Sequence, residues 1–317
     1  MTPATGTSVR LRPWQISLLL VLVCAALVGG FEWRRQRQSR SNQALLRRLP
    51  AQDEGIHVFV DVQALRSSGF LNVLAGAQPV EETEYRQFVE AAQFDYRQDL
   101  DVIVASFHGG DKRSFLLRGR FRWDQLRHYA VSQGASCING YCDVETRRPG
   151  RWVSFYPVFP EVMSLAFSDN GYGASAANVV RPEPEDIYIP PQPFWVRIPA
   201  RILNDPEALP AGARAFASAL KGAIRLTLAI GPQGDNLEIE MIAVLPNIAD
   251  AAAARAQLEI MTTYLARMIA RAKQKPNPLD LSGILTHGKF DHQDRRVRGR
   301  WPVDRAFLEA LAEGKVE

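Results

Sequence analysis

Apolar residues run unbroken once in this chain, and elsewhere they alternate. From Trp14 to Phe31 no residue carries a charge. As a helix that run would reach about 27 Å at roughly 1.5 Å per residue, close to the ~30 Å core of a bilayer. Trp14 and Trp33 flank it, where amphipathic rings favour the interface. Beyond residue 48 the spacing of apolar positions switches repeatedly between two residues and three to four, the mark of mixed strands and helices.

In the first half, Ile56–Val60 reads as a strand. Tyr85, Phe88, Val89 and Ala92 share one helical face. Asp101–Phe107 and Ser114–Phe121 read as strands joined through a turn at His108-Gly109-Gly110-Asp111, and Trp123–Gln133 as a helix closed by Gly134. Further strands are expected at Trp152–Tyr156 and Val162–Phe167. Five prolines crowd residues 180–193 and predict an extended connector. The second half repeats the order: a strand at Phe194–Ile198, a helical face of Ala213, Phe216, Ala217 and Leu220, and strands at Ile224–Ile230 and Leu237–Val244. A long helix from Ile248 to Lys273, capped by Asn247 and buried along Leu258, Met261, Leu265 and Met268, follows. A hairpin over Leu285–Trp301 and a helix around Phe307 and Leu311 end the chain. In Leu237–Val244, Glu238 and Glu240 alternate with Leu237, Ile239 and Met241, which predicts one solvated face.

These elements predict an α+β fold: an N-terminal transmembrane helix followed by a duplicated ferredoxin-like (βαββαβ-type) body of antiparallel sheet with helices. The divisions are a tail over 1–12, an anchor over 13–33, a basic helical stalk over 34–48, α+β units over 49–179 and 194–317, and the connector between them. A cleaved signal peptide competes with the anchor, but the apolar core is long for one and no clear A-x-A site follows. A lipoprotein signal would need a small residue where Val23 precedes Cys24.

Charge sharpens the membrane reading. The net charge is +4, from 38 basic and 34 acidic residues. Residues 1–48 hold eight arginines and one acid, or +7, which leaves 30 basic and 33 acidic residues, or −3, for the rest. The basic excess therefore belongs to the membrane flank. Arg34, Arg35, Arg37 and Arg40 are candidates for contact with anionic lipid headgroups, and the body carries no basic bias toward nucleic acid.

Cys137 and Cys142 frame Asn139-Gly140, a strong two-residue hairpin signal. In such a hairpin they face each other as a non-hydrogen-bonded pair, within disulfide range. A disulfide between Cys137 and Cys142 is the favoured reading over two reduced cysteines placed by chance, and two thiolates alone do not complete a zinc site. The positive-inside rule would place the body in the cytoplasm. A disulfide would place it outside, where such bonds persist. The expectation is a single-pass protein of the inner membrane with its body on the extracytoplasmic side.

Leu49-Pro50, the strand Val58–Val62 and the segment from Ala64 to Phe70 resemble the opening of uncharacterised bacterial membrane-anchored proteins of the DUF3352-like kind. That family is longer than this chain and has no established activity, so the resemblance implies an anchored envelope protein and no site residue.

The remaining chemistry is sparse. Nucleophile-elbow, P-loop, zincin and C-x-x-C signatures do not occur in the sequence, and Gly171-Tyr172-Gly173 lacks the rest of a dinucleotide loop. His287 and His292 would face opposite sides of one strand, against joint metal ligation. Asp95, Asp99 and Asp101 cluster, and read as a helix end and a partner for Arg97 rather than a calcium loop. Alternation of Arg296, Arg298 and Arg300 reads as the solvent face of a strand. No catalytic, cofactor-binding or metal residue is assigned. The favoured function is a membrane-anchored, non-enzymatic envelope protein that binds or scaffolds another envelope protein; the alternative is an extracytoplasmic hydrolase with a site between the two halves.

Overall fold

The structure, a computed structural model, describes residues 41–49, 55–71, 83–109, 112–180, 189–203, 217–234, 236–273, 277, 281–304 and 306–307. The expected anchor, the headgroup arginines and residues 34–40 of the expected stalk therefore lie outside the described residues. The chain divides into two units, residues 1–46 and 47–317. In the first unit, Asn42–Leu46 form one short helix.

The second unit is built on twelve strands: β1 Ile56–Asp61, β2 Leu100–Phe107, β3 Arg113–Gly119, β4 Ser136–Ile138, β5 Tyr141–Glu145, β6 Trp152–Phe159, β7 Val162–Ser168, β8 Phe194–Pro199, β9 Arg225–Gln233, β10 Asn236–Val244, β11 Lys289–Gln293 and β12 Arg296–Val303. They form one antiparallel sheet in the order β11-β12-β10-β9-β8-β1-β2-β3-β7-β6-β5-β4. This overturns the expected fold class. A ferredoxin-like unit interleaves its strands through helical crossovers, whereas β1, β2 and β3 lie side by side in chain order. Nor do the halves own separate sheets: β1 pairs with β8, Val58 opposite Val196, across the middle. Outward from that seam, β1-β2-β3-β7-β6 and β8-β9-β10-β12-β11 run in the same relative order, with the β4–β5 hairpin added at one edge. No helix among the described residues is long and apolar enough to cross a membrane.

Helices pack on one face of the sheet. Alternate residues on β9, β10 and β12, among them Leu226, Met241, Ala243 and Val297, meet Ala251, Ala254 and Leu258 of the Ile248–Arg271 helix. Toward the other edge Ile103, Leu117 and Met163 meet Ala92, Phe94 and Leu126. Val60 on β1 packs into both clusters. The long helix starts where expected, with Asn247 Oδ1 accepting from the Asp250 N–H at 2.9 Å. Its buried stripe is Ala251, Ala254, Leu258 and Thr262, and Met268 is 45% exposed. Leu258 and Met261 of the expected stripe do face the core, but the stripe then turns away from Met268, and toward the N-terminal end the small Ala251 and Ala254 make the approach to the sheet.

The second face is buried too over its centre. Across the sheet, Arg197, His57 and Ser106 stand opposite one another in a row, and Trp195, Phe59 and Val104 form the next. All six are buried, and the Trp195 and Phe59 rings stack at 5.4 Å. The turn of 3₁₀ helix at Gly173–Asn178 packs on β6 and β7 on this side, with Ser164 Oγ donating to the Ala174 carbonyl and the Ala174 N–H to Ser154 Oγ. The expected solvated face of β10 is a correction as well. Glu240 is buried, pairing with Arg298 at 3.0 Å and accepting from Gln192 Nε2 at 2.8 Å. Arg298 and Gln192 close over Glu240, while Glu238 on the same face stays half-buried.

Candidate functional site

An apolar concavity lies on the helix side near the β4 edge. Helix Thr83–Ala92 contributes Phe88, and helix Trp123–Ser132 contributes Leu126 and Tyr129, to a pocket of about 290 Å³. Its floor is the sheet: Leu117, Val153, Phe155 and Leu165. Local sequence explains why the roof stands. The Trp123–Ser132 helix ends at Gly134, φ +88°, with the Ala135 N–H reaching the Ala130 carbonyl at 3.0 Å, a closing geometry that favours glycine. Phe88 and Tyr129 meet edge to face at 5.1 Å and bridge the two helices, while Phe94 stacks on Phe121 at 5.2 Å. Rings at these separations brace one another and leave space beneath them.

Gln133 and Asp143 are the polar residues of the lining besides Tyr129. Among the described residues of the lining no nucleophile, base and orienting group converge, and its apolar rings suit the burial of an apolar group. Each methylene moved from water into such a space contributes about 0.8 kcal/mol. The pocket was not anticipated, although a signal existed: nine of the 45 residues from Tyr85 to Tyr129 are aromatic, against 9% for the chain.

The residues singled out in the sequence are placed as follows. Cys137 and Cys142 are opposite residues of the β4–β5 hairpin and form a disulfide, S–S 2.04 Å. Asn139 and Gly140 have φ of +51° and +81°, the left-handed pair that this turn requires. Among the histidines, His57 and His108 both hydrogen-bond Ser106 Oγ, at 3.2 and 2.8 Å. Ser106 is fully buried, so that hydroxyl ties two strands together and is not presented to a substrate. His287 precedes β11 rather than lying on it, its Nδ1 at 2.6 Å from the Gly283 carbonyl, and His292 is exposed on β11. His128 sits on an exposed helical turn at 2.8 Å from the Asp124 carbonyl. Among the described residues no three His, Cys, Asp or Glu side chains cluster as metal ligands would.

Asp95 starts a helical turn rather than ending a helix: its carboxylate accepts from the Arg97 N–H at 2.9 Å and from Tyr85 Oη at 2.9 Å. Burial, and then the Asp95 carboxylate, push the Tyr85 phenol above its ordinary range. Asp99 pairs with Arg120 at 3.2 Å, and Arg97 lies over the Tyr96 ring. Of the expected solvent-facing arginines, Arg298 turns to Glu240, while Arg300 stands 3.6 Å from Asp291.

No family model and no curated protein matches the sequence. Among solved structures the chain is similar to "Structure of crystal form I of TP0453", at 12% identity over 85% of this chain and 95% of that one, with a TM-score of 0.44. It is similar also to crystal form III of TP0453, at 10% identity over 85% and 96%, with a TM-score of 0.43. Likeness at this level transfers no residue role to the present chain.

Proposed function

We propose that this chain is a non-enzymatic binding module of the bacterial envelope, held at the membrane by its apolar, arginine-flanked N-terminal segment, and that its body binds an apolar ligand or the apolar group of an envelope component. The aromatic-roofed pocket beneath the Thr83–Ala92 and Trp123–Ser132 helices carries this reading. Its volume sits at the lower edge of the ~300–1,000 Å³ typical of small-ligand sites. The Cys137–Cys142 disulfide supports a body on the extracytoplasmic side of the inner membrane. The opening resemblance to anchored envelope proteins fits the same setting. Arg34, Arg35, Arg37 and Arg40 are proposed to contact anionic headgroups. A hydrolase sited at the seam would use Ser106 between His57 and His108, and the burial of Ser106 weighs against it.

The test is a filled pocket. Ala130 lines the cavity, and Ala130→Trp places an indole in it. Full-length protein purified from native membranes should carry an apolar molecule detectable by native mass spectrometry. Ala130→Trp should lose it and bind an apolar fluorescent probe at least about tenfold more weakly, a change of ~1.4 kcal/mol, with an unchanged circular dichroism spectrum. Equal probe affinity and equal lipid content in the folded variant would refute the pocket as the binding site.

A further inference from the structure

A second concavity, on the strand ends away from the apolar pocket, is built from arginines. It measures about 150 Å³ and is lined by Arg113 at the start of β3, by Thr146, Arg148 and Arg151 of the β5–β6 loop, and by Trp152 and Ser168. Among the described residues, no acidic residue lines it. Since residues 49–317 carry 30 basic and 33 acidic residues, three guanidinium groups in one small hollow run against the charge of the body around them.

The loop that presents them is ordered by its own hydrogen bonds. The Thr146 N–H donates to the Arg151 carbonyl at 2.7 Å, and the Arg151 N–H to the Arg148 carbonyl at 3.1 Å. The Arg148 N–H donates to Thr146 Oγ1 at 3.2 Å. Gly150 turns the chain with φ +72°, and its N–H donates to Glu145 Oε1 at 2.8 Å. Of the nearby carboxylates, Glu145 accepts from that N–H, and Asp169 pairs with Lys112 at 2.9 Å and feels the charge of Arg151 as well. The Lys112 contact also holds the Asp169 carboxyl below its usual range. A preformed loop carrying planar, multi-donor guanidinium groups matches tetrahedral oxyanions, which such forks bind in bidentate fashion. The hollow, about 150 Å³, has room for a phosphate-sized oxyanion.

We propose that the Arg113–Arg148–Arg151 hollow binds a phosphate-class oxyanion, either free or as the headgroup of an anionic lipid. The site stands apart from the apolar pocket and holds whether or not that pocket takes a ligand. Binding should weaken steeply with salt, because the contacts are charge-assisted and largely exposed.

The test uses the full-length chain with two probes: inorganic phosphate, followed by equilibrium dialysis, and phosphatidylglycerol vesicles compared with phosphatidylcholine vesicles. Arg148→Ala combined with Arg151→Ala should reduce affinity in at least one arm by about tenfold or more per arginine. Arg113→Ala, across the hollow, is the variant that leaves the loop intact. Arg267→Glu, on an exposed helical face, is the charge control and should change neither arm. Loss of phosphate binding alone identifies a free oxyanion as the ligand. A phosphatidylglycerol preference weakened relative to the wild type, which keeps Arg34, Arg35, Arg37 and Arg40 in common with the variants, identifies the headgroup when phosphate binding is unchanged. If Arg113→Ala and the double variant match the wild type in both arms, or if Arg267→Glu weakens binding as much as they do, the site does not exist.

Discussion

Truncating Leu258 should damage this protein and truncating Met268 should not, although both fall on the helical stripe that spacing alone predicts to be buried. Leu258 is 0% exposed and packs in the core between the Ile248–Arg271 helix and the sheet. Leu258→Ala removes three carbon groups at about 0.8 kcal/mol each. It also leaves a cavity that β9, β10 and β12 cannot collapse to fill, because their strand spacing is fixed by the ladder. The total should be about 3–4 kcal/mol, within the range known for such changes. Met268 is 45% exposed. Its truncation loses roughly half a side chain of burial, partly offset by the higher helix propensity of alanine, and should cost less than about 1 kcal/mol. Urea melts followed by far-ultraviolet circular dichroism should show a lower midpoint at unchanged slope for Leu258→Ala and little change for Met268→Ala. Thermal midpoints should fall by about 6–10 °C and by about 2 °C or less, respectively. Equal losses, or a larger loss at Met268, would mean that the helix is rotated from the register described and that the packing argument is wrong.

Without reductant, alkylation should label neither Cys137 nor Cys142, and both should react once the chain is reduced and unfolded; labelling of native, unreduced protein would contradict the bond. The ring it closes is short, so its loss should cost at most about 2–3 kcal/mol by the loop-length relation, and less in practice because the Asn139-Gly140 turn already holds the strands together. Gly119→Ala should destabilise by about 3 kcal/mol, since an added Cβ would stand 2.3 Å from the Asp99 carbonyl oxygen. By contrast, Gly134→Ala, at φ +88° with open space around it, should cost about 1 kcal/mol; denaturant midpoints that reverse this order would refute the packing at β3. The Tyr85 phenol is shifted upward in the folded state, by burial and then by Asp95. The fold therefore keeps a proton that the unfolded chain releases near pH 10. Stability should hold below about pH 10 and fall as pH rises beyond it, and Tyr85→Phe should flatten that fall; an unchanged slope in denaturation across pH 9–11 would exclude Tyr85 as its source.

Local features were legible because their causes are local. Asn139-Gly140 fixes its own turn, so Cys137 and Cys142 could be paired from sequence and are found bonded. Asn247 and Gly134 mark helix ends for reasons contained within one turn of chain. Most strands were likewise visible in the two-residue alternation, from Ile56 through Val303. What the sequence could not supply was lateral order. A strand carries the same pattern whichever neighbour it takes, and the β1–β8 pairing joins residues some 140 positions apart through backbone hydrogen bonds that no side-chain period encodes. That pairing joined the two halves into a single twelve-stranded sheet, and the side-by-side order of β1, β2 and β3 removed the ferredoxin-like interleaving. Burial was a tertiary outcome too: Glu240 alternates as a solvated residue would, yet it is covered because Arg298 and Gln192 close over it. The apolar pocket and the arginine hollow have the same origin. Phe88, Tyr129 and Phe155, like Arg113, Arg148 and Arg151, are scattered in the chain and meet through strand order and helix placement, which only the tertiary structure sets.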